Sequence, residues 1–274
     1  MSSAIKSSSS MALATSAAST AFRLLARSRK STRRFDSKRQ IPLAVMKDVL
    51  QTTLTSPSGF NLQPVQVIII QAKDVKNQLA ENAMLGAGNQ YRIRDASAVA
   101  VFLCDLEISK RLPRIIDLEK KSGMRHPDYL STLPIAASFL TGEGHVATTL
   151  KQISSSIMSS MQPSPTIDSV KSWGYKNSSL MAQTYVFAAE SHGLATCMME
   201  GFDVSRAKEV LRIPDRYALP LMVATGYEYA EHGNLVVEEN EQRTPRLRAD
   251  EVFFGDTFGA KLDSVPESLT PNRQ

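Results

Sequence analysis

The sequence predicts an α+β fold with one central sheet packed by helices. Three observations carry this. Val65–Gln71, Ala96–Leu103 and Leu219–Thr225 are apolar runs of strand length, too uniformly apolar for exposed strands. Segments with helical apolar spacing separate them. The order of strands and helices is uneven, unlike the strict alternation of a parallel α/β sheet. The chain has 274 residues and is 42% hydrophobic, enough to bury a substantial core.

Residues 1–20 are mostly Ser, Ala and Thr, with one Lys and no acid, and arginines follow at 23 and 27. This is the composition of a mitochondrial or, second, a plastid transit peptide; the alternative is a disordered Ser-rich tail on a cytoplasmic protein. Thr20–Arg27 reads as a short amphipathic helix with Thr20 as N-cap. Residues 42–55 read as a helix, with Pro42 in its first turn and Val45, Val49, Leu50 and Leu54 on one face. A polar loop over 56–64 ends it. Val65–Gln71 is placed inside the sheet. Residues 74–85 look helical, and Ala96–Leu103 is a second buried strand. Residues 106–172 read as irregular, rich in Ser and Pro, with helical patches such as 138–158. Residues 178–193 form a helix that stops at Gly193. A short strand Ala195–Met199, a helix Val204–Leu211 and a strand Leu219–Thr225 follow. The tail from 231 is charged and extended, with Phe253 and Phe254 as apolar anchors. The domain reading is an extension over 1–20, one domain over 21–260 with a cap insertion at about 106–172, and a tail over 261–274.

Composition excludes several function classes. No apolar run approaches the roughly 20 residues that span a bilayer, which predicts a soluble protein with no membrane role. Cys104 and Cys197 lie in apolar surroundings outside any C-x-x-C, so a reducing compartment is expected and a disulfide scaffold is not. The four histidines show no metal-ligand spacing. The net charge of +5 comes from residues 1–34, which hold seven of the 32 Lys/Arg and no acid. The remaining 25 basic and 27 acidic residues nearly cancel, so no nucleic-acid partner is expected.

Five stretches carry candidate chemistry. Arg29-Lys30-Ser31-Thr32-Arg33-Arg34-Phe35 packs cations and hydroxyls together, as a phosphate requires; taken alone it reads sooner as a presequence tail or a solvated charge run. Ser56-Pro57-Ser58-Gly59-Phe60-Asn61-Leu62-Gln63-Pro64 sets turn formers beside two side-chain amides. Asn61 and Gln63 each offer donor and acceptor, the pattern that meets the pyrimidine edge of a flavin; the plain alternative is a helix-to-strand turn. Asn89 and Arg92 are spaced to share a helix face, either as a surface pair or as a cation beside a flavin's N1–C2 carbonyl. In Met198-Met199-Glu200-Gly201-Phe202-Asp203, a Gly after a strand lets backbone N–H groups approach a ligand, and Asp203 caps the next helix. Arg246 and Arg248 form a late basic cluster, either on the same phosphate or in a solvated tail. Charge for a phosphate together with amides for a flat heterocycle is what a flavin mononucleotide (FMN) site needs.

The order of these motifs, followed by Ala-Thr-Gly-Tyr-Glu at 224–228, resembles the nitroreductase family over roughly residues 22–254. The resemblance is to the oxygen-insensitive NAD(P)H nitroreductases and their dihydropteridine-reductase relatives. It implies a mostly antiparallel sheet packed by helices and a domain-swapped homodimer with FMN at the subunit interface. By the same resemblance, Arg29, Lys30, Ser31 and Arg33 hold the phosphate and part of the ring. Ser58, Gly59 and Asn61 line the flavin from the partner subunit, with Gln63 beside them. Asn89 and Arg92 face its pyrimidine end. Glu200 and Gly201 present backbone to N5, with Met198 and Met199 beside them in the cofactor site, and Arg246 or Arg248 closes on the phosphate. This chain departs from the family pattern at Val65, in place of an aromatic, and at Met198, in place of a Pro. It also has Arg33 and Arg92 in place of Lys. These departures bear on substrate preference more than on FMN.

The implied activity is a ping-pong transfer of hydride from NADH or NADPH through FMN to a nitroaromatic, quinone or related small-molecule acceptor. The cofactor carries the chemistry, so no catalytic side chain is assigned. Two alternatives stay open: another flavin reaction on the same fold, such as dehalogenation or desaturation, and a non-enzymatic flavin-binding regulator.

Overall fold

The structure, a computed structural model, describes residues 2–229 and 244–262. The chain divides into two compact units, Met1–Glu231 and His232–Gln274. The first holds a four-stranded antiparallel sheet in the order β1-β2-β4-β3. Its strands are β1 (Val65–Ile70), β2 (Ala98–Asp105), β3 (Ala195–Met199) and β4 (Tyr217–Gly226). Val65 lies opposite Cys104, Ala98 opposite Thr225 and Met199 opposite Met222. Every residue of β2 is buried, so that strand lies at the centre of the core.

Helices cover both faces because the strands carry apolar side chains on both. On one face lie α2 (Leu43–Thr53) and the long α8 (Val170–Ser191), burying Val49, Ala182, Tyr185 and Val186 against Ala100, Phe102 and Val223. The Phe102 and Tyr185 rings meet edge-on at 5.8 Å, and the Tyr185 hydroxyl sits 3.0 Å from Thr225 Oγ1. α8 crosses β2 closely: a Cβ on Gly174 would stand 2.1 Å from Cys104 Sγ. The opposite face packs α3 (Lys73–Asn82), α4 (Ala87–Asp95) and α9 (Val204–Leu211) through Leu79, Ile93 and Ala207.

Several elements differ from expectation. β1 is an edge strand, not an interior one, and Val67, Ile68 and Ile69 are only half-buried. Residues 106–172 are mostly helical: α5 (Leu112–Ser122), α6 (Pro127–Leu140) and α7 (His145–Ser159). Their prolines at 113 and 127 stand in first turns, where proline starts a helix. Leu112, Leu130, Leu133 and Ala137 from this segment pack with Leu62 and Trp173 into a third apolar cluster. α8 starts at Val170, eight residues before the expected 178, because Trp173, Gly174 and Asn177 are buried too. α1 runs Ser2–Ser28, so Thr20 lies inside a helix and caps nothing. The intervening Ala and Ser residues include no Gly or Pro to interrupt it.

The second unit, taken by itself, contains a short helix α10 (Ala249–Val252) and a Phe254–Phe258 ring pair at 4.9 Å. Most of the expected extended tail, 230–243, lies outside the described residues, as do 263–274.

Candidate active site

β3 organises the site. It ends in Met199-Glu200-Gly201, and chain segments from both sides attach to it. Thr32 donates its N–H to the Thr196 carbonyl at 2.9 Å, and Ser31 pairs with Thr196 in a parallel bridge. Asp36 N–H donates to Tyr227 O (2.8 Å) and Tyr229 N–H to Arg34 O (3.1 Å), which lays the basic run along β3 and the end of β4. Lys30 pairs with Glu228 at 3.1 Å. Burial raises the Glu190 carboxyl above the usual range, against the opposing pull of the Ser28 hydroxyl and the Arg29 and Lys30 charges. Lys30 therefore has a carboxylate in contact, and Arg29 has one within electrostatic reach.

On its other side, β3 meets α4. Leu85 N–H donates to Gly201 O (2.9 Å), Asp203 N–H to Ala83 O (2.7 Å), and Met84 bridges Phe202. Asn89 stands at the centre of this contact. Its Nδ2 donates to Leu85 O (2.9 Å) and to Gly201 O (3.3 Å), and its Oδ1 accepts from Arg92 Nη1 at 2.8 Å. The fit at Gly201 is close: a Cβ there would sit 2.4 Å from Asn89 Nδ2. Arg92 Nε is buried with no hydrogen-bond partner among the described residues, and so is Thr32 Oγ1. Burial raises the Cys197 thiol, and the Arg92 charge opposes that shift, which puts Arg92 within electrostatic reach of β3. Asp203 then starts α9, its Oδ1 accepting from Arg206 N–H at 3.0 Å.

The 56–64 loop is elsewhere. It enters β1, and β2 and β4 intervene between β1 and β3. A 3-10 turn over Gly59–Asn61 forms within it, with positive φ at Phe60 (54°), Asn61 (55°) and Gln63 (47°). Such backbone is held by its surroundings. Gly59 N–H donates to Asn177 Oδ1 (2.9 Å), Asn61 Nδ2 to Glu119 Oε1 (2.7 Å) and Gln63 N–H to Ser58 Oγ (3.0 Å), and the Arg111 guanidinium donates to Gln63 O. Arg111 is itself fixed by Asp105, a fully buried carboxylate that it shares with Arg216, each at 3.2 Å. An apolar groove of about 650 Å³ wraps the outer edge of β1, lined by Leu54, Val67, Ile69, Met181 and Ile213 among others. None of the expected site residues lines it.

The Nitroreductase family profile matches residues 26–227. The chain belongs to the nitroreductase family. An NADH dehydrogenase of Thermus thermophilus is 27% identical over 205 residues, covering 75% of this chain and 85% of its own. Among solved structures, a nitroreductase family protein from Streptococcus pneumoniae superposes with a TM-score of 0.64 at 20% identity, covering 85% of this chain and 98% of its own. A candidate nitroreductase from Exiguobacterium sibiricum, solved in complex with FMN, gives 0.60 at 20% identity over 84% and 94%. At these identities the two structures establish the fold.

Within this nitroreductase fold, one chain brings Lys30, Ser31, Asn89, Arg92, Met198, Met199, Glu200 and Gly201 to β3 and its flanks. Arg29 and Arg33 belong to the same run. Ser58, Gly59, Asn61 and Gln63 do not join them; they gather on the β1 side. Arg246 and Arg248 belong to the second unit, where Arg248 pairs with Asp250 (2.5 Å) and Glu251 (3.8 Å). The partners of the loop (Arg111, Glu119, Trp173 and Asn177) were not anticipated. Asn177 stood just outside the expected helix, and only the i, i+4 step from the apolar Trp173 hints that it faces inward.

Proposed function

We propose that the protein is an FMN-dependent oxidoreductase that passes hydride from NADH or NADPH to a nitroaromatic, quinone or related acceptor in a ping-pong cycle. Family membership supports the oxidoreductase class, and the FMN complex of the Exiguobacterium relative supports the cofactor. The observation that carries the reading is the Asn89–Arg92–Gly201 cluster at the end of β3. Its residues fit a flat polar ring. Arg92 Nε is a buried donor without a partner among the described residues, and buried donors are rarely left so. Gly201 lacks the Cβ that would strike the Asn89 amide, so the amide that seats Arg92 can stand against the β3 end.

FMN, when bound, would supply the hydride acceptor and electron carrier of such a cycle. The chain binds and tunes it. Arg92 sets a fixed cation where the pyrimidine end gains negative charge, and Asn89 holds the guanidinium there. Arg29, Lys30, Ser31 and Arg33 supply charge and hydroxyl donors to the phosphate. Gly201 and Glu200 offer backbone to N5. The Ser58–Gln63 loop reaches the ring from a second copy, which makes the working unit a homodimer.

The test is an absorption spectrum of purified protein before and after anaerobic NADPH or NADH. A yellow protein that bleaches, then recovers with menadione or nitrofurazone, is expected, with parallel double-reciprocal kinetics. A colourless preparation that takes up no added FMN sinks the reading.

A further inference from the structure

Glu119 lies on α5 in the cap segment, 8% exposed. Its Oε1 is 2.7 Å from Asn61 Nδ2, and Arg125 Nε is 3.8 Å from its other oxygen. We propose that Glu119 is a positioning residue: it fixes the Asn61 amide so that Oδ1 faces outward as an acceptor for the N3 imide N–H of the flavin. This deepens the flavin reading and rests on it.

The two ends of an asparagine amide are told apart by their partners. An ionised carboxylate accepts and does not donate. The end of Asn61 that meets Glu119 is therefore the NH2, and the carbonyl is the end left over. No hydrogen bond to Asn61 Oδ1 occurs among the described residues, and Asn61 is exposed in the single chain. The backbone beneath it is tied at several points, by Asn177 to Gly59, by Ser58 to Gln63 and by Arg111 to Gln63. Trp173 closes the base of the turn, its ring 3.0 Å from where a Gly59 Cβ would stand. An oxidised isoalloxazine ring has a single N–H, at N3, between two carbonyls. A fixed acceptor matches that N–H. An amide free to turn would as often offer its own NH2 and face donor with donor.

The experiment compares FMN with N3-methyl-FMN, which lacks the N–H, by fluorescence titration of the full chain. Wild-type protein is expected to prefer FMN by about 10-fold or more, the scale of a hydrogen bond lost with a buried partner left unpaired. In Glu119→Gln, whose amide presents either end, the preference falls below about threefold. Asn61→Gly, which suits the left-handed backbone at φ 55°, removes the acceptor and is expected to behave alike. It also answers the question should Glu119→Gln fold poorly. A purely structural role for Glu119 weakens both flavins equally, so an unchanged ratio in Glu119→Gln or in Asn61→Gly overturns the inference while leaving FMN binding intact. Wild-type protein that binds neither flavin overturns the flavin reading and this inference with it.

Discussion

Gly201→Ala separates a ligand site from a merely well-packed turn. The new methyl lands 2.4 Å from Asn89 Nδ2, inside any tolerable contact. The obstacle is the end of a side chain, so the fold relaxes by swinging Asn89 away and not by moving strands. That movement gives up the bonds of Asn89 to Leu85 O and Gly201 O and removes the acceptor that seats Arg92 Nη1. Water replaces part of what is lost, so the stability cost is about 1–2 kcal/mol, a melting shift of about 2–8 °C in a domain this size. Binding suffers more, because both the seated guanidinium and the backbone approach are lost. About 2–3 kcal/mol of ligand contact goes, which raises the FMN Kd about 30- to 150-fold. Fluorescence titration gives the Kd and a thermal melt of the flavin-free protein gives the stability. Adding Asn89→Ala relieves the clash, so the double variant melts higher than additivity allows, without recovering affinity. A Gly201→Ala protein that melts lower as expected yet binds FMN within about threefold of wild type refutes the reasoning, since no lost ligand contact would then register.

Three further outcomes follow from other parts of the molecule. Asp105→Asn leaves the Arg111 and Arg216 guanidiniums without their buried carboxylate; urea unfolding should show a loss of about 2–4 kcal/mol, below a fully enclosed pair because both cations reach water, and a loss under about 0.5 kcal/mol contradicts the network. Burial pushes the Cys104 thiol and the Tyr185 phenol each up to about 12. The unfolded chain then loses these protons first, so stability holds below about pH 9 and falls as pH rises toward 12; by pH 11 the drop is about 4 kcal/mol, and an unfolding curve flat from pH 8 to 11 rules it out. If each flavin takes its loop from one copy and its cradle from the other, mixing two weak-binding variants, Asn61→Gly and Gly201→Ala, restores wild-type FMN affinity at about a quarter of the sites in randomly re-formed dimers, whereas sites built within one chain all stay weak.

Local features were legible in the sequence. β3, α9 with its Asp203 cap, and the Asn89–Arg92 pair follow from spacing and capping chemistry, because each is decided within about one helical turn or strand. Gly193, after the end of α8, takes the left-handed φ of 67° that a helix stop uses. What was not legible is what distant residues decide. Ile68 and Ile69 look the same in an edge strand as in a central one, and only pairing separates the two cases. The cap helices were hidden because the side chains that bury their apolar faces, Leu62 and Trp173, lie far along the chain. Gly59 meets Asn177 across 118 positions, Asn61 meets Glu119 across 58 and Gln63 meets Arg111 across 48. No local pattern marks Glu119 as a partner; it reads as one more charge on an amphipathic helix.

The charge of the N-terminal run takes on a different meaning once folded. In the sequence it is a dense block of cations, the feature that invites a nucleic-acid reading. In the fold Lys30, Arg34 and the nearby Arg39 have partners of their own. Lys30 meets Glu228 at 3.1 Å. The Arg34 guanidinium lies 5.4 Å from the Tyr229 ring centre and that of Arg39 lies 3.4 Å from Tyr227. Glu190, half-buried, feels both Arg29 and Lys30. A polyanion is held by a run of unengaged charges tracking along a surface. Here Glu228 holds Lys30 and the Tyr229 ring lies near Arg34, so an anion arriving at Lys30 must compete with Glu228.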